Sequence, residues 1–187
     1  MDKLTRSRVA LKLEQLESKL KSFLANYRAR NPRECASSMY FAVFHAAEAL
    51  LYAKGIEAAS HKAVASLLAL HFVRPGTLPR ETSAKFSALM AGRHDADYNE
   101  AIPFGAEDAR AAAATGQALL ADLLGALEAA EGAPRASAAR RLLARIAKAV
   151  PREPARRSRR KAGSSSLVFL KYGRKSTRHE YHPPSGG

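Results

Sequence analysis

The sequence predicts an all-α fold, a four- to five-helix antiparallel up-and-down bundle followed by a disordered basic C-terminal tail. Apolar residues recur at spacings of three and four through most of the first 130 residues, which is the helical period. Alternation typical of a strand is nearly absent before residue 165. Proline and glycine separate the helical segments at short intervals, and short loops favour antiparallel neighbours.

The first helix is predicted from an apolar stripe near the N-terminus. Arg, Lys and Glu occupy the opposite face, as expected of a helix that covers a core. The pair Asn31-Pro32 separates this helix from the next, because Asn is a good N-cap and proline is tolerated at the first helical position. The stripe consists of Val9, Leu13, Leu16, Leu20, Phe23, Leu24 and Tyr27.

The second helix is predicted to lie at the centre of the bundle, since apolar residues cover most of its circumference. It runs to Lys54 and stops at Gly55, the usual residue for a left-handed C-terminal cap. One polar stripe interrupts it. The stripe either is a partly exposed strip, in which His45 and Glu48 pair locally, or lines a cleft or a dimer seam. Its members are Ser38, His45, Glu48 and Tyr52.

Three further helices complete the predicted bundle. Ser60 caps the third helix, whose buried side includes Val64 and Phe72. A break at residues 74–77 precedes a fourth helix, expected over about residues 79–92 or slightly beyond. Residues 99–105 form a loop, after which a fifth helix begins near Ala106.

The net charge of +14 is concentrated at the C-terminal end of the chain. Residues 132–187 carry 15 Lys/Arg and only two acidic residues, a net charge of +13, whereas residues 1–131 are close to neutral at +1. We therefore assign residues 1–131 to the helical bundle and residues 132–187 to a basic low-complexity tail. A short helix is expected at about 138–150 and disorder beyond it. Such a tail could hold RNA or DNA non-specifically through phosphate contacts.

The composition favours a cytoplasmic protein. No apolar run approaches the roughly 18 residues that a membrane-spanning helix needs. The N-terminus mixes charges into its apolar positions, unlike a secretory signal. Cys35 is the single cysteine, so no internal disulfide can form and a reducing compartment is expected.

The strongest chemical motif is RHDADY, at the end of the fourth helix. Arg93 is suited to bidentate phosphate binding, and His94 could give or take a proton at neutral pH. Metal-free RNA cleavage needs such a cation and base. Alternatively, Arg93 forms a salt bridge with Asp95 or Asp97 and closes the helix end. A metal site from His94 and the two aspartates is only weakly indicated, and no cofactor is expected.

The other histidines and the cysteine give weak signals. His61 and His71 are expected to be a residue of the cap region and a partly exposed residue, too far apart to bind one ion. His179 and His182 form an HxxH in the tail, a spacing that is common without any fold around it. Cys35 has no defined catalytic partner, and Gly-rich phosphate loops and CxxC pairs are absent from the sequence.

Residues 37–98 resemble the HEPN family, specifically its small prokaryotic members. The segments that carry the resemblance read SSMYFAVFHAAEALLYAKG, SHKAVASLLALHFV and RHDADYNE, in the order and spacing of that family. The resemblance extends over about residues 5–130. It implies a four- or five-helix up-and-down bundle that commonly dimerises, so a homodimer is expected.

The resemblance also implies an activity and a partner. Many HEPN proteins are metal-independent endoribonucleases that use an Arg, a polar residue directly after it and a His five to seven positions after the Arg. Arg93 and His94 match the first two, but positions 98–100 hold Tyr98, Asn99 and Glu100 where the histidine is expected. An RNase would then have to use His94 instead.

HEPN proteins often act beside a minimal nucleotidyltransferase in toxin–antitoxin modules. The resemblance therefore predicts a component of such a module, or of a related defence module, that acts on or binds RNA. The alternative is a non-catalytic nucleotide-binding or protein-interaction module. In either case, the expected cleft combines two sites on the second helix with the end of the fourth: Ser38, His45, Arg93, His94, Asp97, Tyr98 and Asn99.

Overall fold

The computed structural model of the protein describes residues 1–130 and 136–150. Within these ranges the chain forms six α-helices and no strand, which confirms the predicted all-α class. The predicted disorder of residues 151–187 and the HxxH motif lie outside the described residues. The helices are α1 (Lys3–Arg28), α2 (Pro32–Ala53), α3 (His61–Leu68), α4 (Thr82–Tyr98), α5 (Ala106–Glu128) and α6 (Ser137–Ala149).

The predicted caps fix where α2 and α3 begin. The side chain of Asn31 accepts a hydrogen bond from the backbone of Glu34, and Pro32 is the first helical residue of α2. The Ser60 hydroxyl accepts from the backbone N–H of Ala63 at 3.1 Å. Each cap satisfies one of the amides that a helix N-terminus leaves without an internal partner.

Helix α2 lies at the centre of the bundle, as predicted. It packs against α1, α3, α4 and α5, and its alanines and large apolar residues are buried on most of its circumference. The exception is a strip of half-buried side chains one helical turn apart. This strip differs from the predicted one, because Ser38 is only 6% exposed and Phe41 takes its place. The strip consists of Phe41, His45, Glu48 and Tyr52.

A π-helical turn was not predicted, and the short helix expected at about 138–150 is present as α6 but packs on the bundle instead of standing apart from it. A π-helical turn, Ala69–Val73, continues α3 before the break. Helix α6 packs back onto α1 through Ala139, Leu142 and Ile146, all buried. None of the helices in the described part of the chain is long and apolar enough to cross a membrane.

Candidate functional site

Arg93 lies in the last turns of α4, between two aromatic rings. Its guanidinium carbon is 5.2 Å from the ring centre of Phe41 on α2 and 5.2 Å from that of Tyr98. Its Nε atom is 2.7 Å from Oδ2 of Asp97, one helical turn further on. The predicted ion pair is therefore made with Asp97. The buried Nε–H nevertheless lacks a well-aligned hydrogen bond, so the pairing leaves Arg93 incompletely satisfied.

The half-buried ring of Phe41 is surrounded by cationic and imidazole groups from several helices. Lys19 of α1 places its ammonium 5.1 Å from the ring centre, in addition to Arg93 from α4. The His45 ring lies 6.4 Å away, and the His61 ring meets Phe41 edge-on at 5.9 Å. We call this group, Lys19, Phe41, His45, His61 and Arg93, the Phe41 surface.

The predicted local pair of His45 and Glu48 is confirmed. His45 Nδ1 lies 3.0 Å from Glu48 Oε2, and the Lys12 ammonium lies 2.8 Å from the same oxygen. Burial alone would raise the pKa of Glu48, but the hydrogen bonds and positive charge of His45 and Lys12 outweigh it, so the pKa is lowered. Glu48 is thus a carboxylate that ties α1 to α2 and partly neutralises the edge of the Phe41 surface.

His61 is the site residue that the sequence did not reveal as such. Its Nδ1 is 2.7 Å from the hydroxyl of Tyr40, and its ring stacks on Phe44 with ring centres 4.2 Å apart. Burial and the positive charge of Arg93 lower the pKa of His61. Burial also raises the pKa of Tyr40 to about 12. A signal was available, because a tyrosine on a central helix usually needs a hydrogen-bond partner for its hydroxyl.

Arg33, at the start of α2, holds the end of α4 in place. Its guanidinium donates to the backbone carbonyls of Ala96 at 2.9 Å, Asn99 at 3.2 Å and Ile102 at 2.6 Å. It also lies 5.0 Å from the ring centre of Phe104. The last carbonyls of a helix have no partner within the helix, so a donor for them can be expected, but the sequence does not say which arginine provides it.

The remaining predicted residues take different positions. His94 is exposed, and its ring centre lies 5.2 Å from that of Tyr98. Arg93 approaches the same Tyr98 ring, so the two side chains lie on either side of that contact rather than next to Phe41 together. Asn99 enters the site through its carbonyl, which accepts from Arg33. Ser38 is buried inside the bundle. The structure thus brings Arg93, Asp97 and Tyr98 into contact and places His45 across the Phe41 ring.

Metal ligands do not cluster in the described part of the chain, where no group of three His, Cys, Asp or Glu side chains could hold an ion. The weakly indicated metal site at His94, Asp95 and Asp97 is therefore not assembled there. The cations and imidazoles of the Phe41 surface can bind an anion. The Phe41 ring beside them can stack on a planar group.

Comparison with known proteins gives the family. The chain is 44% identical over 48 residues to a UPF0332 protein of Pyrococcus horikoshii, which covers 26% of the chain and 34% of that protein. It is 26% identical over 106 residues to a UPF0332 protein of Thermotoga maritima, which covers 48% of the chain and 80% of that protein. The chain thus spans about a third of the first relative and most of the second.

The family model of the HEPN domain matches residues 10–127, which include α1 to α5 almost completely. This match contains the central apolar helix, the caps of α2 and α3, and the Arg93 end of α4. The protein belongs to the HEPN domain family.

Proposed function

We propose that this HEPN protein binds RNA through the Phe41 surface, as one component of a HEPN/nucleotidyltransferase toxin–antitoxin or related defence module. The observation that carries the proposal is the position of Arg93 beside the accessible ring of Phe41. A nucleotide needs both kinds of contact, because its phosphate pairs with a guanidinium while its base stacks on an aromatic ring. The proposal of the module and its partner rests on the resemblance to the family and on no contact in the structure.

The charges around Phe41 favour a phosphate backbone. Lys19 and Arg93 reach the ring from two different helices, and Lys19 has no carboxylate within ion-pair distance among the described residues. Since residues 1–131 are almost neutral overall, the attraction is local to this surface. At physiological ionic strength, charges more than about 8 Å away are largely screened, which makes these nearby groups decisive.

Asp97 competes with the RNA for Arg93. Its carboxylate lies 2.7 Å from the guanidinium Nε, in the position that a phosphate oxygen would take. Replacing it with Asn keeps the size of the side chain and removes the charge. We expect Asp97→Asn to bind RNA roughly two- to fivefold more tightly than the wild type, because a partly exposed ion pair contributes at most about 1 kcal/mol.

The test is fluorescence anisotropy of a labelled single-stranded RNA with the full chain, at several salt concentrations. Arg93→Ala should weaken binding at least tenfold, and Arg93→Lys should recover only part of it because Lys cannot make a bidentate contact. Arg74→Ala, in the exposed turn beyond α3, removes the same charge away from the Phe41 surface and is the control. Equal affinities for Arg93→Ala and Arg74→Ala would refute the proposal.

The module is tested separately. The protein is expressed alone and together with the protein encoded beside it, and growth and co-purification are followed. A toxin role predicts slower growth that the partner relieves. Unchanged growth in both cases would leave RNA binding without a toxin–antitoxin role.

The expected homodimer is tested by light scattering of the purified protein, which should give twice the monomer mass.

A cavity on another part of the bundle favours the second candidate, a nucleotide-binding module. Its volume is about 510 Å³, and two aromatic rings and two arginines contribute to its lining: Tyr27, Phe104, Arg30 and Arg110. ATP binding by calorimetry that is lost in Arg30→Ala, with RNA binding unaffected, would support this candidate. Binding of ATP that persists in that variant would exclude the cavity.

A further inference from the structure

We propose that His61 is a phosphate-binding residue of the Phe41 surface, a neutral hydrogen-bond donor whose tautomer is fixed by Tyr40. The inference rests on the proposed function, since the phosphate is that of the RNA bound beside Arg93. The phosphate-binding imidazole is then His61 on α3, whereas the sequence had suggested His94, directly after Arg93. The Phe41 surface is then assembled from four helices, α1 to α4.

The tautomer follows from the burial of Tyr40. This side chain is 0% exposed, and the one hydrogen-bond partner of its hydroxyl among the described residues is Nδ1 of His61, at 2.7 Å. A buried hydroxyl that donates to nothing is costly, so the Tyr40 O–H donates and Nδ1 accepts. A neutral imidazole carries one N–H, and this N–H is therefore at Nε2.

The charges that face His61 keep it neutral. The charge of Arg93 on α4 lowers the pKa of His61, and on α2 the charge of Glu48 raises it while that of His45 lowers it. Burial acts in the same direction as Arg93 and is the largest influence. His61 is also the first residue of α3, at the positive end of the helix dipole, which disfavours an imidazolium. At neutral pH the ring therefore donates without carrying a charge.

The ring is held in one orientation, with its donor available. Phe44 stacks on one face at 4.2 Å and Phe41 meets the ring at 5.9 Å, which restricts its rotation. Nε2 is on the other side of the ring from Tyr40. It has no hydrogen-bond partner in residues 1–130 and 136–150, and it is not among their buried unsatisfied atoms. It is thus open to a ligand.

His61 and Arg93 can act on the same phosphate because both lie against the Phe41 ring. Arg93 is 5.2 Å from the ring centre and supplies the charge. His61 supplies a directional hydrogen bond from a rigid position. A phosphate placed beside the ring would be neutralised by the first group and oriented by the second.

The test compares two amides at position 61. The amide nitrogen of His61→Gln reaches the position of Nε2, whereas that of His61→Asn matches Nδ1 and leaves the donor position empty. For the labelled RNA, we expect His61→Asn to bind about tenfold more weakly and His61→Gln to stay within about threefold of the wild type. Circular dichroism checks that both variants are folded.

Nitrogen-15 NMR of the histidine rings tests the tautomer independently of any ligand. At pH 7, His61 should show a protonated Nε2 and an unprotonated Nδ1, and Tyr40→Phe should remove this preference. A protonated Nδ1 in the wild type would overturn the inference. Equal RNA affinities for His61→Asn and His61→Gln would also overturn the inference. If Arg93→Ala still bound RNA more weakly, the proposed function would stand. A wild type that does not bind RNA would overturn both.

Discussion

Arg33→Ala should destabilise the protein more than the loss of any exposed ion pair. The guanidinium of Arg33 bridges the end of α4 and the loop after it, from the carbonyl of Ala96 to that of Ile102. A hydrogen bond to a charged group contributes about 1.5–3 kcal/mol, but bonds that share one guanidinium are not additive. We therefore expect Arg33→Ala to lower the free energy of unfolding by about 3 kcal/mol, a large part of the roughly 5–15 kcal/mol typical of a folded domain.

The measurement is urea denaturation followed by circular dichroism. Arg33→Lys keeps the positive charge near the carbonyl end of α4 but cannot reach the same set of carbonyls. Its free energy of unfolding should therefore fall by about half as much as that of Arg33→Ala. Arg140→Ala is the matched control, because its guanidinium pairs with Glu128 at the surface and should contribute only about 0–1 kcal/mol. A cost for Arg33→Ala no greater than that for Arg140→Ala would refute the bridging role.

Three further predictions concern the bundle itself. A Cβ on Gly116 would overlap Met39, whereas one on Gly125 meets nothing within 4 Å, so Gly116→Ala should be about 1–3 kcal/mol less stable than Gly125→Ala in urea denaturation. Because the pKa of Glu48 is lowered in the folded protein, its carboxylate stabilises the fold at pH values above the ordinary carboxyl pKa of about 4.3. This stabilisation is lost as the pH falls below that range. The difference in the free energy of unfolding between the wild type and Glu48→Gln should therefore shrink on acidification in urea denaturation. Burial raises the pKa of Cys35 to about 12, so iodoacetamide at pH 8 should label this thiol far more slowly in the folded than in the urea-unfolded protein.

The bundle could be predicted from the sequence because its signals are local. The apolar period of α1, the Asn31 and Ser60 caps and the Gly55 stop each act within a few residues of the position they determine. The π-helical turn after α3 had no such signal. The packing of α6 onto α1 also depends on contacts far apart in the chain.

The site could be predicted only where one helix contains it. The pairs His45–Glu48 and Arg93–Asp97 are one helical turn apart, so spacing alone suggests them. His61 and Lys19 reach the site from other helices, and Arg33 on α2 acts on the end of α4, so their spacing along the chain carries no information about these contacts. Spacing on one helix can also mislead. Ser38 and Phe41 are three residues apart on α2, yet the Ser38 side chain is buried while the Phe41 ring is half-buried.

The absence of a histidine five to seven positions after Arg93 changes how the site depends on the fold. An arginine and a histidine on one helix keep their relation for as long as that helix is formed. Arg93 and His61 are instead related through Phe41 and Tyr40, both on α2, so their geometry depends on the packing of α3 and α4 against α2. Changes that loosen this packing should therefore weaken the proposed phosphate binding before the bundle unfolds, since local opening costs less free energy than global unfolding.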